Sequence, residues 1–149
     1  YKRQEYGHAD RLNYAVVGTP NRLEYDLGFF VRNGDGSADV KPIAHLYKSQ
    51  VYELAHALGC PEEIINARPS TDTYSLSQSQ DEFYFGQPLE NMDLALYCYH
   101  NGESTAHLAA TLGIEEDESG RLYREIEAKS RSAQILLEPA AVLKDTDSD

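Results

Sequence analysis

The side chains that could do chemistry gather between Gly18 and Lys48. Gly18-Thr19 closes an apolar run, Glu24 follows five residues later, Asp35 and Asp39 flank a glycine turn, and Lys48 opens an amphipathic stretch. A glycine lets the backbone come close to a ligand, and the Thr19 hydroxyl can then reach a base, ribose or phosphate. The same pair also reads as an ordinary turn at the end of a strand. A carboxylate at Glu24 could hold Mg²⁺ against ATP phosphates, or simply favour a helix start through the dipole. Asp35 and Asp39 can cap their turn, while the dense glycines leave room for a ligand beside Asp35. Lys48 sets a cation against the positive end of a helix dipole, a mismatch that a bound phosphate would offset. Asp72, Asp81 and Glu82 fall in a long polar stretch, and Lys129 and Arg131 on a late helix. Acidic loop residues and basic helix residues of this kind usually serve solubility alone.

Other chemistries find little support. His8, His45, His56, His100 and His107 have no metal-ligand spacing, and Cys60 and Cys98 are too few for a disulfide scaffold. The sequence has no nucleophile elbow, no H-E-x-x-H pair and no P-loop. Its formal net charge of -12, from 25 acidic and 13 basic residues, repels nucleic acid and anionic membranes at long range. The stretch from Glu103 to Ile114 resembles the first half of a helix-turn-helix, but the run Glu115-Glu116-Asp117-Glu118 beyond it repels DNA. No apolar stretch has membrane length, and the cysteine usage fits a reducing cytoplasm.

Certain elements must position these residues. Leu12 to Val17 is expected as a buried parallel strand, because Tyr14-Ala15-Val16-Val17 is continuous rather than alternating. A helix should cover Arg22 to Phe30, and a second extended segment Ala38 to Ile43, with Pro42 near its end. Lys48 to Leu58 is the best helical pattern: Val51, Leu54, Ala55 and Leu58 share a stripe, and Gly59 stands where a C-terminal glycine should. A short helix opens at Pro61. Residues 67–87 lose all periodicity and read as a functional loop. Helices then return over about 92–137, and the acidic tail should fray.

Ordered motifs give these elements a family. Val17-Gly18-Thr19-Pro20-Asn21-Arg22-Leu23-Glu24 resembles the VGTxNxxE segment of NAD synthetases, and Leu46-Tyr47-Lys48-Ser49-Gln50-Val51 their LxKxQV helix start. Arg68-Pro69-Ser70-Thr71-Asp72 and Gln80-Asp81-Glu82 are similar to two of their loop motifs. The resemblance runs from about Leu12 to Asp93, with a weaker trace at Glu127 to Arg131. It implies the C-terminal part of a Rossmann-like adenine nucleotide alpha-hydrolase fold, α/β, with a parallel sheet, flanking helices and a helical C-terminus, and a homodimer. The implied reaction is ATP-dependent amidation of deamido-NAD by ammonia through an adenylated intermediate, releasing AMP and pyrophosphate. By the same resemblance Thr19, Lys48 and Ser70 would bind ATP, and Glu24 would bind Mg²⁺. Asp35, Asp39 and Lys129 would face deamido-NAD, and Lys48, Asp72 and Glu82 would be catalytic.

Several positions depart from the family pattern. The Ser-Gly-Gly-x-Asp-Ser phosphate loop that precedes this region in the family is not in these 149 residues, and the chain opens on Tyr1. The sequence thus reads as the C-terminal part of one synthetase-like domain, expected to be inactive by itself. Pro20, Leu23, the stretch Tyr74 to Ser79 and Lys129-Ser130-Arg131 also differ from the family's usual residues. Those differences leave two alternatives: a ligase of the same fold acting on another carboxylate, and a non-catalytic dimerisation domain.

Overall fold

A computed structural model describes residues 2–67 and 86–142. Seven helices follow in order: α1 (Lys2–Leu12), α2 (Arg22–Leu27), α3 (Lys48–Ala57), α4 (Glu62–Ile65), α5 (Leu89–His100), α6 (Thr105–Leu112) and α7 (Glu116–Leu137), with a 3₁₀ turn at Asp35–Ser37. No helix among the described residues is long and apolar enough to cross a membrane.

The structure corrects the expected Rossmann-like parallel sheet. The described residues are almost entirely helical and contain no strand. The two runs read as strands meet in one isolated parallel bridge, Val17 to Val40. The Gly18 N–H donates to the Val40 carbonyl at 2.8 Å, and the Asp39 N–H to that of Val16 at 3.0 Å. A ladder cannot grow from there. Asn13 sits at φ 56, ending α1 and breaking the extended path, while a turn from Lys41 follows Val40 at once. Nor is the apolar run buried: Tyr14 is 70% and Val17 61% exposed. Continuous apolarity signals burial only where neighbouring strands cover both faces, and the described residues supply one short partner. Gly18 is needed at the bridge, since a Cβ there would lie 2.6 Å from that of Ala38.

The core is helical. α7 has Glu116, Asp117 and Glu118 in its first turn, where carboxylates complement the helix dipole. It starts at Glu116, directly on that acidic turn. Ser119, Leu122, Ile126 and Ala133 form its buried face, which packs on α2, α5 and α6. The Ser119 hydroxyl is buried without cost because it reaches the Thr105 carbonyl at 2.8 Å. Leu23 and Leu27 of α2, and Met92, Ala95 and Leu96 of α5, are fully enclosed in the same cluster. The α3 stripe behaves otherwise: Leu54 and Leu58 stay exposed, and no residue of α3 is fully buried.

Gly28 closes α2 in the left-handed region at φ 78, and an added Cβ would meet that of Ala133 on α7 at 3.1 Å. Backbone strain and a tight helix contact thus coincide there. Gly28→Ala should cost about 1–2 kcal/mol of stability, read as a lower denaturant midpoint. An unchanged midpoint would show that α2 and α7 do not pack as described.

Candidate active site

The residues between Gly18 and Lys48 converge on one cavity. About 380 Å³ in volume, it is lined by Lys2, Val17, Thr19, Pro20, Asn21, Glu24, Phe29, Asp35, Ile43, Lys48 and Val51. Four of the residues singled out from sequence, Thr19, Glu24, Asp35 and Lys48, therefore share a single wall. They arrive from four segments, so their meeting is a tertiary fact.

Glu24 is held by local chemistry. Asn21 caps α2: its Oδ1 accepts from the Glu24 N–H at 3.1 Å, and its own N–H donates to Glu24 Oε2 at 2.9 Å. This reciprocal box satisfies two otherwise orphaned N–H donors and fixes the carboxylate at the cavity edge. Burial pushes the Glu24 pKa above the usual carboxylate range. The Asn21 bonds and the Lys48 charge oppose that rise, and Asp35 adds to it. The folded state thus holds the Glu24 proton more tightly than the unfolded chain does. Its contribution to stability is complete below the unfolded pKa and is lost as pH rises through the folded value. A cation seated against the ionised carboxylate would compensate.

The Asp35 turn is tied down on several sides. Asp35 Oδ1 accepts from the Val31 N–H at 3.0 Å, and the Ser37 hydroxyl donates to the Arg32 carbonyl at 2.8 Å. From α1, the Tyr6 hydroxyl donates to the Gly34 carbonyl at 2.6 Å. Asp35 is thereby presented to the cavity by a turn pinned to a helix.

Lys48 enters from the first turn of α3. Its ammonium lies 5.6 Å from the centre of the Tyr52 ring, a cation–π distance. The amides of this turn are already taken: Asp93 of α5 accepts from the Lys48 N–H at 3.1 Å through Oδ1 and from the Ser49 N–H at 2.7 Å through Oδ2. The anion that Lys48 and the helix start seemed to call for in the sequence is thus supplied at the backbone by the protein. Only the Lys48 side chain remains to meet an outside phosphate.

The other singled-out residues lie elsewhere. Asp39 Oδ2 accepts from the Val16 N–H at 2.8 Å, bracing the two extended segments, and does not line this cavity. Lys129 sits on α7 and pairs with Glu125 one turn earlier. Ser70, Asp72, Asp81 and Glu82 lie outside the described residues. Two participants were not singled out from sequence. Asn21 was legible in principle, since Asn-x-x-Glu before an apolar residue is a capping signature. Asp93 carried no local signal, standing 45 residues from Lys48.

Among the described residues no group of three or more His, Cys, Asp or Glu could hold a metal ion. The donor set nevertheless fits Mg²⁺, which takes one or two carboxylates and completes its shell with phosphates and water. Glu24, with Asp35 on the same wall, supplies that hard oxygen chemistry.

The NAD synthase family model matches residues 2–133, and the chain belongs to that family. Among curated proteins, the NH(3)-dependent NAD(+) synthetase of Mesorhizobium japonicum is 56% identical over 135 residues, covering 91% of this chain and 42% of the relative. The enzyme of the same name from Rhizobium meliloti is 59% identical over 137 residues, covering 91% of this chain and 40% of the relative. The chain therefore spans about two fifths of the length of these relatives. Among solved structures, an NMN synthetase from Francisella tularensis aligns with a TM-score of 0.68 at 25% identity, covering 94% of this chain and 51% of that one. An NH3-dependent NAD synthetase from Campylobacter jejuni shares the fold at a TM-score of 0.58 and 20% identity, over 93% of this chain and 49% of that one.

Glu24→Gln separates charge from structure, because glutamine keeps the capping box. In the natural protein containing this chain, Mg²⁺-dependent ATP binding should weaken as pH falls through the raised Glu24 value, since proton and metal compete for one carboxylate. Calorimetric titrations across that window should show the dependence in the wild type and not in Glu24→Gln. The same slope in both would remove Glu24 from the metal site.

Proposed function

We propose that the natural protein containing this chain amidates deamido-NAD to NAD, using ATP, Mg²⁺ and ammonia. The observation that carries this reading is the convergence of Thr19, Glu24, Asp35 and Lys48 on one cavity in a chain of the NAD synthase family. Ammonia as the nitrogen source rests on the curated relatives, which are named NH(3)-dependent synthetases.

In the first step an oxygen of the nicotinate carboxylate attacks the α-phosphorus of ATP, and the bond to the pyrophosphate oxygen breaks. Ammonia then attacks the acyl carbon, AMP departs with the bonding electron pair, and the nitrogen gives up a proton. Thr19 contacts ATP, Asp35 lies near the pyridine ring, and the Lys48 ammonium neutralises charge on the departing pyrophosphate. Mg²⁺, when bound, supplies Lewis-acid charge beside Glu24. By the family resemblance Ser70 would bind ATP and Asp72 and Glu82 would be catalytic, in a reaction where excluding water protects the activated acyl group. Asp39 and Lys129, engaged with Val16 and Glu125, take no part in this cavity, and the active form is a homodimer.

A second reading is favoured by the neighbour titled an NMN synthetase: the carboxylate amidated is that of a mononucleotide, and the product is NMN. One assay separates them. The natural protein, given ATP, Mg²⁺ and ammonium, should convert deamido-NAD to NAD with stoichiometric AMP and pyrophosphate, and should turn over the mononucleotide acid far more slowly. The reverse preference would establish the second reading. ATP binding with no pyrophosphate release on either acid would overturn both, in favour of a non-catalytic domain.

A further inference from the structure

Lys48 is shared by two cavities. Besides the Thr19–Glu24–Asp35 cavity, it lines a second one of about 490 Å³ together with Ser49, Tyr52, Glu53, Pro88, Leu89, Glu90 and Asp93. Lys48 thus borders both the cavity of Thr19, Glu24 and Asp35 and an acidic hollow carrying Glu53, Glu90 and Asp93. α3 packs on α5 without any fully buried residue of its own, and Tyr47 just before it joins the core; one further tie holds its first turn. It is Asp93, itself only 5% exposed, whose two oxygens take the Lys48 and Ser49 amides.

We infer that Asp93 is a positioning residue: it clamps the first turn of α3 to the helical core so that the Lys48 ammonium faces the phosphates of ATP. This rests on the reading of Lys48 as a phosphate contact. Two features make the clamp specific. Each carboxylate oxygen takes a different amide, which fixes both the position of the helix end and its rotation about its axis. The clamp also closes the amide pair that would otherwise form an anion site at a helix N-terminus. An incoming phosphate is thereby left to the Lys48 side chain. Asp93 itself belongs to the core face of α5, beside Met92, Ala95 and Leu96, so the core's rigidity is passed to a surface helix through two hydrogen bonds.

The test uses Asp93→Asn, Asp93→Glu and Lys48→Met in the natural protein, with KM and kcat measured for ATP and deamido-NAD separately. Asparagine can accept at only one oxygen and loses one charge-assisted bond. Asp93→Asn should therefore lower kcat/KM for ATP about tenfold while KM for deamido-NAD moves less than about twofold. Asp93→Glu, which keeps both acceptors on a longer arm, should recover part of the loss. In the pair Lys48→Met/Asp93→Asn, the ATP penalty should not exceed that of Lys48→Met alone. Additive penalties, or an equal rise in both KM values, would show that Asp93 acts only on stability and would overturn the inference. Unchanged ATP kinetics in Lys48→Met would instead sink the Lys48 reading on which it rests. If Asp93→Asn does not fold, the same double cycle with Asp93→Glu decides, by the same criteria.

Discussion

A buried carboxylate at the start of a surface helix is the constraint on which the rest of this structure depends. α3 is amphipathic by sequence, yet it buries no residue completely, so apolar burial alone gives it a weak hold. The two bonds from Asp93 replace that hold with directional ones. Because they are charge-assisted and lie out of water, they are stronger than ordinary backbone caps. Asp93 can serve this way because its neighbours on α5 are locked among Leu23, Leu27, Leu96 and Ile126 in the core. The chain of cause runs from core packing to α5, from α5 to the end of α3, and from there to the Lys48 ammonium at the cavity.

The electrostatics of the cavity follow from the same placement. A chain of formal net charge -12 repels a polyphosphate at long range, so attraction must be local. Lys48 brings a positive charge to the cavity, and Glu24 a carboxylate. Burial makes an ionised Glu24 costly, Lys48 partly relieves that cost, and a metal would relieve it further. Lys48 thus favours the ionised form of Glu24.

What was legible in the sequence was mainly local. Asn21 and Glu24 sit at the spacing of a capping box and form one, and Gly59 stands just past the end of α3 in the left-handed conformation, whereas Gly28, expected inside a helix reaching Phe30, instead ends α2. The long α7 was visible in its 3.6-residue pattern, although its acidic first turn escaped a reading that looked only for apolar positions. The parallel sheet was misread for a definite reason. Apolarity over Leu12 to Val17 describes a surface fit for covering, whereas a strand exists only where a partner offers its backbone, and here Val40 offers one bridge. The exposure of Leu54 and Leu58 on α3 is the same lesson. A stripe records which face a helix could bury, and here Val51 and Ala55 are only half-buried while Leu54 and Leu58 stay exposed.

By itself the sequence determined most of the helices and the ordered motifs of the family, because these depend on neighbours a few residues apart; the end of α2 at Leu27 and the reach of α1 to Leu12 it did not determine. Capping, glycine stops and helical periodicity are short-range physics. Only the tertiary structure decided that Thr19, Glu24, Asp35 and Lys48 face one cavity, that Asp39 braces Val16, and that Lys129 pairs along its own helix with Glu125. It alone decided that Asp93 closes the start of α3. A carboxylate 45 residues away leaves no periodicity or spacing to read, and its partner is chosen by how the core packs.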